Sequence, residues 1–198
     1  MPLIRRTPEK APPPGEAGEA DLQSASAGVR WAAARAAADR PESVPALAEA
    51  LRGETDARVR EAIFTALARI GSPESIDAVL PFLRSDDASL RTAALDVLRA
   101  APNSLGARIE ALLADPDDDV RLLSCELVRA MDPPRAGRLL LSLIDADPAA
   151  NVCAAAIEVL AEIGDRDALP ALARCAARFP NDPFLAFAVK VASDRLNI

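Results

Sequence analysis

The sequence predicts an all-α protein built as a solenoid of stacked repeats, and three observations carry this. A branched-aliphatic–Arg pair recurs as Val29-Arg30, Val59-Arg60, Leu90-Arg91 and Val120-Arg121, then degrades to Val152-Cys153 and Phe184-Leu185. The spacing of about 30–32 residues is that of helical-hairpin repeats. Within each unit, apolar residues recur at helical spacing in two successive segments. No stretch alternates with period two for long enough to read as a strand.

The second unit shows the plan best. Asp56 is placed to cap a helix whose apolar stripe is Val59, Ile63, Ala66, Leu67 and Ile70, with Gly71 as its stop. Ser72-Pro73-Glu74 opens a second helix with Pro in the first turn, where its missing N–H costs little. Ile76, Val79, Leu80 and Leu83 form the buried face of that helix. Pro81 lies deep inside it and predicts a bend, because Pro removes a hydrogen bond and clashes with the preceding turn.

By the same signals, first helices start near Ser26, Asp56, Asp87, Asp117, Asn151 and Asn181. Second helices start near Pro41, Pro73, Pro102, Pro133 and Asp165. This gives about five hairpins plus a last helix with no partner behind it, expected to cap the stack. We read residues 23–198 as one repeat domain. Residues 1–22 read as a disordered Pro/Ala/Gly-rich tail, with Pro12, Pro13 and Pro14 suited to a polyproline II peptide.

Composition narrows the function. The 198 residues are 51% hydrophobic, enough for a continuous core, and carry a net charge of −7. An acidic chain is a poor general binder of nucleic acid, whose phosphates need a basic stripe. No apolar run is long enough to cross a bilayer, and residues 1–15 lack the apolar core of a secretion signal, so a cytoplasmic protein without a membrane role is expected. Cys125, Cys153 and Cys175 fall on predicted helices without metal-ligand spacing and read as buried reduced thiols. There is no His or Tyr, no nucleophile motif and no glycine-rich phosphate loop. We therefore expect no catalytic residue, no metal and no cofactor.

The units Asp56-x-x-Val59-Arg60, Asp87-x-x-Leu90-Arg91 and Asp117-x-x-Val120-Arg121 resemble HEAT-like repeats, in particular the short bacterial type called phycobilisome-lyase HEAT-like repeats. The resemblance covers about residues 24–196 and implies a right-handed α-α superhelix, first helices convex and second helices concave. It also implies that each Arg lies between layers and pairs with an Asp: Arg60, Arg91 and Arg121 with Asp56, Asp87 and Asp117 or their neighbours. Cys153 and Leu185 depart from the pattern, so the ladder should end before the fifth unit. Residues 179–187 resemble the ends of some bacterial HEAT proteins of chemotaxis-type signalling.

Charge on the second helices is uneven. Glu42, Glu49, Glu74 and Asp77 mark the first two, whereas Arg135 and Arg138 mark the fourth and Arg166, Arg174 and Arg178 the fifth. Arg135, Arg138, Arg174 and Arg178 are accordingly the candidate partner-binding residues, a basic end for a protein with an acidic surface. Trp31, the lone tryptophan, is expected to pack under the N-terminal segment and cover the open end of the stack, with a binding anchor as the alternative. The function expected is a non-catalytic scaffold or adaptor binding a protein along its concave face, with a bacterial signalling complex as one setting. The alternative implied by the resemblance is a bilin lyase subunit or tetrapyrrole-binding chaperone, although the chain shows no polar-aromatic cluster to line such a pocket. A HEAT-like DNA glycosylase is a third reading, opposed by the acidic charge.

Overall fold

The computed structural model describes residues 18–106, 108–164 and 166–197. Among them are twelve α-helices joined by short loops and 3₁₀ turns, with no strand. Residues 1–17, which hold most of the expected tail and its prolines, lie outside the described residues.

The chain divides into two compact units after Ser104. The division falls where the third repeat's second helix breaks. Helix α6 (Pro102–Leu105) is a single turn, and α7 (Arg108–Leu113) starts afresh. Between them Gly106 takes φ 49°, a left-handed conformation that ends a helix and that glycine adopts without strain.

In the first unit, packing begins earlier than residue 23. A 3₁₀ turn, Glu19–Gln23, buries Leu22, and the Ser43 hydroxyl donates to the Glu19 carboxylate at 2.8 Å. The first helices are α1 (Ala27–Ala36), α3 (Ala57–Ile70) and α5 (Ala88–Ala100), packed in sequence. Helices α2 (Val44–Gly53) and α4 (Pro73–Val79) pack on each other alongside them.

Local signals account for these ends. Asp56 accepts the N–H groups of Arg58 and Val59, and Asp87 that of Ser89. Gly71 closes α3 at φ 58°, a left-handed C-terminal stop. At Pro81 the α-helix gives way to a 3₁₀ turn, Leu80–Arg84, which is the bend the proline requires. Ile63, Leu67, Ile76 and Leu83 are almost fully buried, each contributing about 1.5–3 kcal/mol of apolar burial.

The second unit repeats the arrangement. Its first helices are α8 (Asp118–Val128), α10 (Ala150–Ile163) and α12 (Pro183–Leu196), with α10 packed against both others. Helices α9 (Pro133–Ala146) and α11 (Leu169–Arg178) pack together, and α7 packs on α8. Two expected starts shift slightly. Helix α10 begins at Ala150, one residue before Asn151, while α12 begins at Pro183 and is capped by Asp182 rather than Asn181. Asp165 is outside the described residues, and the chain resumes in a 3₁₀ turn, Arg166–Ala168, that leads into α11.

Candidate functional site

The recurring arginines are structural. Arg30 and Arg121 reach both forward to an acidic residue of the next repeat and back to their own preceding loop, Arg60 reaches forward, and Arg91 reaches back. Arg30 grips the Glu54 carboxylate at 2.7 and 2.8 Å, and Arg121 grips Asp147 at 2.7 and 3.1 Å. Arg60 reaches Asp87 at 3.3 Å. Arg30, Arg91 and Arg121 each donate to the carbonyl six residues back, on Ser24, Ser85 and Asp115. The partners thus differ from the caps of the same repeat, Asp56, Asp87 and Asp117, each of which accepts its own helix N–H; Asp87 uses its other oxygen for Arg60 of the repeat before. The Arg30 guanidinium, reinforced by the N–H groups of Asp56 and Thr55, pulls the Glu54 carboxyl down to about 2.

The fifth unit lacks the arginine but keeps the rung. The Cys153 thiol lies 3.6 Å from the carbonyl of Asp147, again six residues back. Arg178, from α11, donates to that same carbonyl and to Ile144 O at 2.7 Å. A second-helix arginine thus fills the place the first helix leaves empty.

That assignment changes the reading of the expected basic end. Arg178 is tied to backbone, with its guanidinium also 5.1 Å from the Phe179 ring. Arg135 donates to Gly106 O at 2.9 Å and lies 3.5 Å from Glu110. Arg174 holds Asp145 in a two-bond pair at 2.8 and 3.1 Å. Arg138 is exposed on α9 and forms no ion pair among the described residues. Three of the four candidates are therefore engaged within the second unit, where Glu110 and Asp145 offset the charge of two of them.

The exposed apolar surface lies elsewhere. A capping helix is expected to be polar outside. Yet α12 exposes Phe184 at 68%, Phe187 at 65% and Val191 at 39%. Their spacing places them on one face, about 130° round the helix from the buried row Leu185, Ala192 and Leu196. They form one wall of a groove of about 520 Å³. Its floor is the small-residue face of α10 (Ala154, Ala155 and Ala161), and Leu122 of α8 stands opposite. Glu126 and Glu158 bring negative charge to the groove, and Arg195 brings one positive group.

Most of the N-terminal segment expected over Trp31 lies outside the described residues. Leu22 seats the described end of the N-terminal segment, while Trp31 is half-buried on α1 and faces a shallow groove toward α3. The guanidinium carbons of Arg35 and Arg58 lie 4.8 and 5.7 Å from its ring centroid.

The cysteines are not placed as nucleophiles. Cys125, Cys153 and Cys175 are free and buried, as expected. Burial pushes the Cys125 and Cys153 thiols up to about 12, far from the thiolate a nucleophile needs. Among the described residues no cluster of three or more His, Cys, Asp or Glu is placed to hold a metal, and no helix is long and apolar enough to cross a membrane.

No curated protein matches this chain. Among solved structures, an archaeal HEAT-like repeats protein from Thermococcus onnurineus NA1 is similar at 14% identity and a TM-score of 0.51, covering 90% of this chain and 85% of that one. The complex of CpcE and CpcF of phycocyanin lyase from Nostoc sp. PCC7120 is similar at 19% identity and a TM-score of 0.40, covering 98% and 100% of the two chains. A designed armadillo repeat protein gives 16% identity and a TM-score of 0.42 over 90% and 98%. The family model for HEAT repeats matches residues 19–99 and again 106–190, on either side of the break at Gly106. These two matches take in nearly every helix described above, and the chain belongs to the HEAT repeat family.

Proposed function

We propose that this chain is a non-catalytic scaffold that binds another protein by seating one apolar helix face in the groove of α8, α10 and α12. The observation that carries the reading is the exposed row Phe184, Phe187 and Val191 above an alanine floor. Small residues let a partner's side chains approach the α10 backbone, and the aromatic wall supplies area. Covering either ring, already about a third buried, releases about 1–2 kcal/mol of apolar transfer, before the costs of association. An amphipathic helix with anchors at i, i+3 or i+4, and i+7 fits such a surface. Glu158 favours a helix with a basic flank, since Glu126 is already paired with Arg129 at 3.1 Å.

This moves the partner site from the second helices to the first. Arg135, Arg174 and Arg178 are bonded within their own unit, whereas the phenylalanines are about two-thirds exposed. Two of the wall residues fall within 179–187, which resembles the ends of signalling-associated HEAT proteins, so a component of such a complex is the partner class this reading takes first. The absence of His and Tyr from the sequence supports a binding role over catalysis, and the net charge of −7 favours protein over nucleic acid.

A photo-crosslinking amino acid placed at position 187, with one at position 138 as comparison, tests the proposal in source cells. Crosslinks to one other protein from 187 support it. Crosslinks from 138 alone would return the site to the second helices. Crosslinks between two copies of this chain would overturn the reading of a different partner.

A further inference from the structure

We propose that Trp31, Arg35 and Arg58 form a second docking point, separate from the groove above, for an acidic segment of a partner protein. The two guanidinium groups share one aromatic ring, and neither forms an ion pair among the described residues. This sets them apart from Arg30, Arg60, Arg69, Arg121 and Arg174, each of which meets a carboxylate of another helix or loop. The cation–π contacts keep both guanidinium groups at the Trp31 ring, and no N–H of either guanidinium donates a hydrogen bond among the described residues. A preset pair of such groups suits carboxylates, which each accept two parallel hydrogen bonds.

Helix stability does not explain Arg58. It stands in the first turn of α3, just after the Asp56 cap, where the helix dipole is positive and a cation is disfavoured. A bound carboxylate there is favoured by both the dipole and the side chain. Trp31, half-buried with Ala62 and Thr65 beside it, adds an apolar surface for a neighbouring side chain of the same segment. Trp and Arg together are the residues that most often dominate binding energy at interfaces. Glu61 is the acidic member of the groove lining and pairs with neither arginine, so it weakens the attraction without satisfying it.

The ligand is a run of Asp or Glu with an adjacent aliphatic residue. Because Trp31 is the lone tryptophan, its fluorescence reports this site directly. The test titrates the protein with a synthetic peptide of alternating Glu and Leu, with its Lys-Leu counterpart, and with inorganic phosphate. The acidic peptide should give a saturable change that weakens about tenfold in Arg35→Gln/Arg58→Gln and also weakens with added salt. Glu61→Gln should tighten it, an arm that stands even where the double arginine variant fails to fold by circular dichroism. No saturable change, equal binding of the Lys-Leu peptide, or unchanged affinity in a folded double variant would overturn the proposal. So would saturation by phosphate alone, which marks a small-anion site and not a docking point.

Discussion

Arg121→Ala should be the most destabilising single change in the arginine ladder. The Arg121 side chain is 10% exposed and that of Asp147 2%. The substitution removes the two-bond pair at 2.7 and 3.1 Å and the donation to Asp115 O at 2.8 Å. It leaves a buried carboxylate with the Ala149 N–H, at 2.9 Å, as its remaining donor. Stranding one member of a buried pair costs about 3–5 kcal/mol. Arg91→Ala is the internal control. Arg91 donates to the carbonyls of Ser85 and Asp86, which its loss opens to water, at a cost of about 1 kcal/mol. Urea denaturation followed by circular dichroism compares the two. Arg121→Met/Asp147→Leu removes both charges and should cost less than Arg121→Ala alone, since it strands neither. If Arg121→Ala shifts the transition no more than Arg91→Ala, the Asp147 carboxylate is solvated and the ladder does not hold the layers.

Two further outcomes follow from the site electrostatics. Glu54 has its carboxyl lowered from 4.5 to about 2 in the folded chain, so its stabilisation is complete above 4.5 and fades as pH falls toward 2. Glu54→Gln should remove about 1–3 kcal/mol at pH 7 and flatten the decline of stability between pH 5 and 3, read from urea midpoints; a decline of unchanged steepness would show that Arg30 does not hold it. Cys125 and Cys153, buried with their thiols near 12, should resist a thiol reagent at pH 8 until urea unfolds the chain; rapid native labelling would contradict their placement.

Much of the fold was legible because its signals are local. Asp56, Asp87, Gly71 and the Pro81 bend each act within a few residues of themselves. What failed depended on contacts the repeat period does not encode. The arginines pair not with the cap of their own repeat but with an acid 24 to 27 residues further on, which for Arg60 is the next repeat's cap Asp87 and for Arg30 and Arg121 is Glu54 and Asp147. Charge counting put a basic end on α9 and α11 without revealing Asp145 opposite Arg174, or that Arg178 would stand in for the arginine lost at Cys153. The spacing of Phe184, Phe187 and Val191 marks a helix face, but which face of α12 is buried is decided by α10 and α11. Arg35, four residues after Trp31, was a readable signal for the stacked pair, whereas Arg58 arrives from the next repeat.

The central claim is that Phe184 and Phe187 are the anchor of a protein partner, and the affinity of that partner tests it most directly. With the protein crosslinked from position 187 in hand, its Kd is measured for the native chain and for Phe184→Ala/Phe187→Ala. Both rings are exposed, so the variant should keep its helical circular dichroism and its urea midpoint. The account predicts a loss of at least about thirtyfold, the 2 kcal/mol of an interface hot spot. An unchanged Kd in the folded variant would contradict it.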